Sequence, residues 1–443
     1  MEHKTLIYNA RLVDRDMDRD DLALLASGGK IERLVDRQEA ASLIGEADRG
    51  GQGIEPFDAR GQVVMPAFID MHAHFRDPGL TQKEDLESGS RAAAAGGFGT
   101  LVLMPNTNHV VSSQEAALAN MRRGQAIGLA DLFQSVSITK DFDGRTISHL
   151  EELDKAVVPL ITEDGHEVQD SSVMFDAMKI AGKKKILVSC HCEDPFLAAA
   201  ARPLRAAALE KLAAGNREEA AQLLAKADEL LRLAEDVATD RNIRLAARAG
   251  CHLHLCHVST AHCIESAIRA KKAGQELSLE VTPHHIGLTG ETMPDIFNIV
   301  NPPLRYEEDR QALIEALTSG EADVIATDHA PHTEQDKRNG SPGFSGLETA
   351  FAICYTTLVL NGSMDLQTLS ARMSATPAQL LSLDDRGRIK AGYQADLVVA
   401  DTRQTWNVHG AEFQSKGKFT PWEGKDLTGK VTATFHLGRK IFG

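Results

Sequence analysis

Cysteine is scarce in this chain, with six residues in 443: Cys190, Cys192, Cys251, Cys256, Cys263 and Cys354. Several lie inside apolar, strand-like runs, so buried reduced thiols of a cytoplasmic protein are expected rather than a disulfide framework. The amino terminus, MEHKTLIYNARLVDRDMD, lacks a basic start followed by an apolar core and a small-residue cleavage site. No secretory signal is therefore expected. No window holds about 18 uninterrupted apolar residues, which argues against a membrane-spanning helix. Cations are in the minority too: 48 Lys and Arg stand against 63 Asp and Glu, a formal net charge of −15. Nucleic acid and anionic membrane are poor partners for such a surface. Also missing are an internal repeat, a low-complexity tail, and a glycine-rich phosphate turn after the first strong strand. The last absence disfavours a doubly wound, nucleotide-binding sheet.

What is present is a series of short β-rich runs that end in polar residues. They are VVMPAFIDMHAH (63–74), GTLVLMPNT (99–107), DLFQSVSIT (131–139), AVVPLITEDG (156–165), KILVSCHCED (185–194), HLHLCHVST (252–260), LSLEVTPHH (277–285) and DVIATDHAPH (323–332). Stretches with helical spacing, such as SQEAALANMRRG, lie between them. Strands alternating with helices indicate parallel β–α units, and eight of them predict a (β/α)₈ TIM-type barrel over 63–385. Residues 1–62 and 386–443 look like short strands and turns, and are expected to pair into one small β-sandwich domain. The Ala/Leu/Glu/Lys run at 197–238 reads as amphipathic helices within the fifth crossover.

In such a barrel, chemistry gathers at the carboxyl ends of the strands. His72 and His74 are two apart in a strand, so they project from one face, as two ligands of one metal must. Asp164, His191, His257 and Asp328 close other strands. Imidazole nitrogen and carboxylate oxygen are usual ligands for zinc and similar ions. Four histidines and two carboxylates exceed what one tetrahedral zinc needs, whereas two ions about 3.5–4 Å apart, bridged by a carboxylate and hydroxide, would use them all. Cys190-His191-Cys192 and Cys256-His257 could instead form a cysteine–histidine zinc site. Alternation opposes this by turning the thiols toward the helices, away from His191 and His257. The same alternation sets His252 and His254 opposite His257, in packing or outer hydrogen-bonding roles.

The segments DMHAHFRDPG, MPNT, ITEDG, SCHCED, CHVST, VTPHH, NPPLR, ATDHAPH and GLETAF, in this order, resemble the dihydroorotases of the amidohydrolase superfamily. The likeness runs through almost the whole chain, including GRIKAGYQADLVV and SKGKFTPWEG. It implies reversible cyclisation of N-carbamoyl-L-aspartate to (S)-dihydroorotate, the third step of de novo pyrimidine (UMP) synthesis. It also implies two Zn²⁺ per subunit. His72, His74 and Asp328 would hold the first and His191 and His257 the second, with Asp164 and hydroxide bridging. Much of the superfamily bridges with a carboxylated lysine, but ITEDG resembles the bacterial branch that uses an aspartate. Asp328 would be the catalytic acid/base. His74, Arg76, Asn106, Asn301, His332, Pro342 and Gly343 would bind substrate, with Arg76, Asn106 and His332 clamping its carboxylate. The loop SPGFSG departs from the APFGIxGLET form of many bacterial members. The resemblance further implies a homo-oligomer, a dimer, and an association with aspartate transcarbamoylase. Two alternatives remain: another cyclic amidohydrolase, a hydantoinase or allantoinase, and a non-catalytic scaffold for aspartate transcarbamoylase.

Overall fold

Three of the polar strand ends are followed within a few residues by a helix cap. After His191 comes Asp194, whose side chain accepts from the N–H groups of Phe196 and Leu197 and starts the helix Pro195–Ala213. After His257 comes Thr260, which caps Ala261–Lys272 through Cys263 N. Thr282 caps Pro283–Gly287 in the same way. Such caps satisfy donors that a helix leaves free at its start, so they fix where each strand stops and its helix begins.

The computed structural model describes residues 3–49, 53–290 and 298–443. The barrel strands are β1 (Phe68–Ala73), β2 (Phe98–Leu103), β3 (Asp131–Gln134, continued by Val136–Ser137), β4 (Leu160–Thr162), β5 (Leu187–Cys190), β6 (Leu253–Leu255), β7 (Leu277–Val281) and β8 (Val324–Ile325). Neighbours in sequence pair in parallel from β1 through to β8. Closure comes from a parallel bridge between Ala73 and His329, with His74 N donating to His329 O at 2.8 Å. The fold is therefore a (β/α)₈ barrel. Alternation along β1 is clear. Ile69 and Met71 pack with Val102, Leu160, Leu187, Val324, Ala378 and Leu381, while Asp70 and His72 between them are fully buried and polar.

The run 63–74 is not one strand. It divides at Ala67, because Val63–Pro66 joins a different sheet. That six-stranded sheet runs Arg439–Phe442, Asp426–His436, Leu397–Asn407, Val63–Pro66, Arg11–Asp14, Met17–Arg19. Val64 sits opposite Val399 in an antiparallel pair and opposite Leu12 in a parallel one. A four-stranded sheet, Lys30–Asp36, Leu22–Ser27, Lys4–Tyr8, Ile54–Asp58, faces it. Ile7, Leu12, Leu24, Ile31, Val64, Leu397, Val399 and Phe435 form one apolar cluster, so both chain ends build this sandwich. The sandwich meets the barrel closely at Gly97, which is left-handed (φ 85°). A Cβ there would lie 2.6 Å from Val398 Cγ2, so a larger residue would push the two lobes apart.

Between β5 and β6 the chain forms a helical hairpin, Pro195–Ala213 and Arg217–Ala249. Ala198, Ala201, Ala227 and Leu231 form its own apolar contact. Its anchor to the barrel is polar and buried. Glu235 accepts from Ser259 N (2.8 Å) and from Arg305 Nη2 (2.9 Å).

Candidate active site

Asp164 follows β4 and lies among the four histidines. Its Oδ1 is 3.3 Å from His72 Nε2, 3.7 Å from His191 Nδ1 and 3.9 Å from His257 Nε2, and its Oδ2 is 3.5 Å from His74 Nε2. Asp328 completes the group from the end of β8, with Oδ1 3.1 Å from His74 Nε2 and 3.6 Å from His72 Nε2. All six side chains expected to meet at the strand ends do so, and all six are buried.

Their orientation is set from outside. His74 Nδ1–H donates to Asn106 Oδ1 (3.0 Å), which leaves Nε2 facing Asp328 and Asp164. His72 Nδ1–H donates to the Glu280 carboxylate, again directing Nε2 inward. That Nε2 is buried yet forms no hydrogen bond, although two carboxylates lie close to it. A nitrogen lone pair held among carboxylates, without a donor, fits a divalent cation. His72, His74 and Asp328 bring ligand atoms within 4.8 Å of one another, and so do His72, Asp164 and His257. His191 Nδ1 lies 2.8 Å from His257 Nε2, so these two ligand nitrogens also converge.

The electrostatics agree with a cation-binding centre. Burial opposes a charge on Asp164, but His72, His257 and His74 hold its carboxyl well below the usual range. Burial likewise opposes a charge on Asp328, and the histidines overcome it. His191 is lifted to about 9, against burial, by Glu193 and Asp164. Carboxylates held ionised beside a histidine that favours positive charge are surroundings that a bound cation shares.

Left-handed backbone re-aims three of these residues: Arg76 (φ 58°), His257 (φ 33°) and Asp328 (φ 47°). This explains where strand alternation fails. Cys256 does not face the helices, because its Sγ lies with His72 and Glu280 inside the barrel. His254 is also interior, bonded to Glu280 Oε2 (3.0 Å) and Ser278 Oγ (2.8 Å). His257 reaches the same interior because its positive φ rotates it off the strand pattern. Such conformations cost a non-glycine residue free energy, and they gather at functional sites. Cys190 and Cys192 do join the apolar layer beneath the helices, as alternation predicts. Glu163 turns away from Asp164 to accept from Thr139 N at 2.8 Å.

A cavity of about 300 Å³ opens over the centre. Its lining includes His74, Arg76, Asn106, Asn301, His332, Pro342 and Gly343, together with Asp164, His191, His257 and Asp328. Arg76 Nε is buried without a partner. Its Nη2 lies 3.3 Å from His332 Nε2, which is 2.9 Å from Pro342 O. Burial, with Arg76 and Lys83 nearby, pushes His332 down to about 2, so its ring is neutral. Asn106 serves two of the six side chains: it accepts from His74, and its Nδ2 donates to Asp164 Oδ2 (3.0 Å). Asn301 Nδ2 donates to Glu193, leaving its buried Oδ1 without a partner. The backbone near Pro342 is largely engaged, since Gly343 N donates to Ile299 O at 2.9 Å.

Sequence reasoning missed Glu280 and Glu193. Glu280 had a signal: a carboxylate inside the fully buried strand LSLEV cannot sit there without partners. Glu193 had none beyond its place two residues after His191.

A family model described as the amidohydrolase family matches residues 63–441. The chain belongs to that family of metal-dependent hydrolases. A dihydroorotase of Clostridium botulinum is 41% identical over 436 residues, covering 98% of each chain. A dihydroorotase of Carboxydothermus hydrogenoformans is 38% identical over 424 residues, covering 94% of this chain and 95% of its own. Within the family, then, the chain stands among the dihydroorotases. In overall fold it is similar to the L-hydantoinase (dihydropyrimidinase) of Arthrobacter aurescens, with TM-score 0.84 at 24% identity over 100% of this chain and 96% of that one. The dihydropyrimidinase of Brevibacillus agri gives TM-score 0.83 at 22% identity, over 99% and 95%. Among the described residues, no helix is long and apolar enough to cross a membrane.

Proposed function

We propose that the protein closes N-carbamoyl-L-aspartate into (S)-dihydroorotate, and reopens it, in pyrimidine synthesis. One observation supports this most. A half-buried arginine whose Nε is buried without a partner lines the same cavity as a carboxylate lying within 3.9 Å of four histidines. Dihydroorotate carries a carboxylate beside a cyclic amide, which needs both features. Hydantoin and allantoin offer Arg76 no carboxylate.

His72, His74 and Asp328 would hold one divalent ion and His191 and His257 a second, with Asp164 between them. Two zinc ions suit this nitrogen and oxygen set. When bound, such ions make a water nucleophilic near neutral pH and polarise a carbonyl. Asp328 remains ionised and faces the cavity. During ring opening it takes a proton at a carboxylate oxygen and delivers it to the leaving ring nitrogen; closure reverses both transfers. A positioned acid/base of this kind contributes about 10²–10⁴ in rate. Arg76 binds the substrate carboxylate through charge-assisted hydrogen bonds, with neutral His332 beside it. Asn106 orients His74 and Asp164 and forms one wall of the clamp. Asn301 Oδ1 accepts a ring N–H. Pro342 and Gly343 give shape more than hydrogen bonds.

A division into a barrel and a lobe built from both chain ends belongs to this proposal, with the expected first boundary at 63 moved to Ala67 because Val63–Pro66 pairs with Leu397–Asn407, and the second kept at 386. So does a cytoplasmic setting, supported by six buried, unpaired cysteines. A homodimer and an association with aspartate transcarbamoylase would be tested by sedimentation and co-purification. Parallel assays on dihydroorotate, hydantoin and allantoin decide the substrate: dihydroorotate should turn over fastest, and faster turnover of either other ring would overturn the reading.

A further inference from the structure

Glu280 lies one residue from the carboxyl end of β7, fully buried, at the floor of the site rather than in the cavity. One of its oxygens, Oε1, accepts from His72 Nδ1–H (2.8 Å) and from His257 N–H (3.0 Å). The other, Oε2, accepts from His254 Nε2–H (3.0 Å). Under the proposed function, His72 belongs to the first ion and His257 to the second. A single carboxylate oxygen thus holds one ligand of each.

We infer that Glu280 is a positioning residue that couples the two ion sites. Its action on His72 is tautomeric and electrostatic: by accepting the Nδ1–H bond it leaves the Nε2 lone pair directed at Asp164 and Asp328, and its negative charge makes that nitrogen a stronger donor to a cation. Its action on His257 is conformational. Accepting from the backbone N–H of a residue at φ 33° helps to hold that residue in the left-handed region, and so turns its imidazole into the site. Neither effect requires Glu280 to touch substrate or ion. Removing it should loosen both sites together, although the six ligands remain.

The Gln variant can fold. Its amide would place an N–H₂ where Oε2 stood, and His254 can reverse its tautomer to accept from it. The Ser278 hydroxyl, 2.8 Å from His254 Nδ1, can accept as readily as donate. Glu280→Gln therefore removes charge while keeping most of the geometry, and Glu280→Ala removes both. The control is Glu235→Gln. That carboxylate is equally buried and its loss should cost stability, but it touches none of the six ligands.

The test is zinc retained per chain after dialysis against graded chelator, measured with thermal unfolding and with kcat and KM for dihydroorotate. Outer carboxylate partners of this kind typically govern about 10–100-fold in metal affinity. Glu280→Gln should release both ions at about 10-fold lower chelator, and Glu280→Ala at up to about 100-fold lower. kcat should fall more than KM rises, and excess zinc should restore part of it. Glu235→Gln should unfold earlier yet keep both ions at the wild-type chelator concentration. Wild-type retention in Glu280→Gln, release of one ion only, or equal release in Glu235→Gln would each overturn the inference. A wild-type protein that binds no zinc would instead overturn the proposed function on which this rests.

Discussion

Arg76 and His332 meet across the mouth of the barrel, Nη2 to Nε2 at 3.3 Å, one after β1 and the other after β8. Burial, with the charges of Arg76 and Lys83, keeps His332 neutral, so its ring adds no positive charge to repel the guanidinium beside it. A hydrogen bond to a charged group is worth about 1.5–3 kcal/mol. Arg76→Ala should raise KM for dihydroorotate about 10–100-fold. Steady-state kinetics checks this, and an unchanged KM would remove Arg76 from the clamp. Arg76→Lys should recover little, since a single ammonium cannot reproduce the planar fork.

Asp328→Asn keeps shape and removes the proton-accepting charge. Turnover should fall by about 10² or more while the unfolding temperature moves little. Activity near wild type would show that another group transfers the proton.

Arg305→Ala leaves Glu235 as a buried charge without its cation, at the joint between the helical hairpin and the barrel. Breaking one side of a buried pair costs about 3–5 kcal/mol. Urea unfolding should show a loss of that order, and a loss below about 1 kcal/mol would mean that water reaches the joint.

Glu348 supplies a pH dependence. Burial raises its carboxyl from 4.5 to about 7, although Gln414 and Ser415 donate backbone N–H groups to it. Between those values the folded chain holds a proton that the unfolded chain has released. The stability tied to this group is therefore greatest at acid pH and is lost as pH rises toward 7. Glu348→Gln lacks that dependence, so wild type should exceed the variant in stability by more at pH 5.5 than at pH 8, by an amount on the order of 1–2 kcal/mol. Unfolding curves at both values check it; an equal difference at both would contradict it.

The barrel was legible because short β-rich runs ending in polar residues, with helically spaced stretches between them, are local signals, and eight such runs occur. The inward projection of His72 and His74 followed from the two-residue period of a strand. His257 and Cys256 were not legible in that way. A single left-handed residue at the end of β6 brings His257 into the interior beside Cys256, and no pattern of side-chain polarity reports a backbone angle. The seam at Ala67 was hidden for a related reason. Val63–Pro66 and Phe68–Ala73 form one unbroken, fully buried run with no turn residue between them, and only their partners, Leu397–Asn407 for one and Phe98–Leu103 for the other, distinguish them. Asn106 was legible only through the family resemblance, as part of the carboxylate clamp, and its grip on both His74 and Asp164 needed coordinates.

The most direct test is a crystal grown with zinc and measured at the zinc absorption edge. Two anomalous peaks should flank Asp164, one against His72, His74 and Asp328 and the other against His191 and His257. A single peak, or zinc bound only elsewhere on the chain, would contradict the two-ion centre.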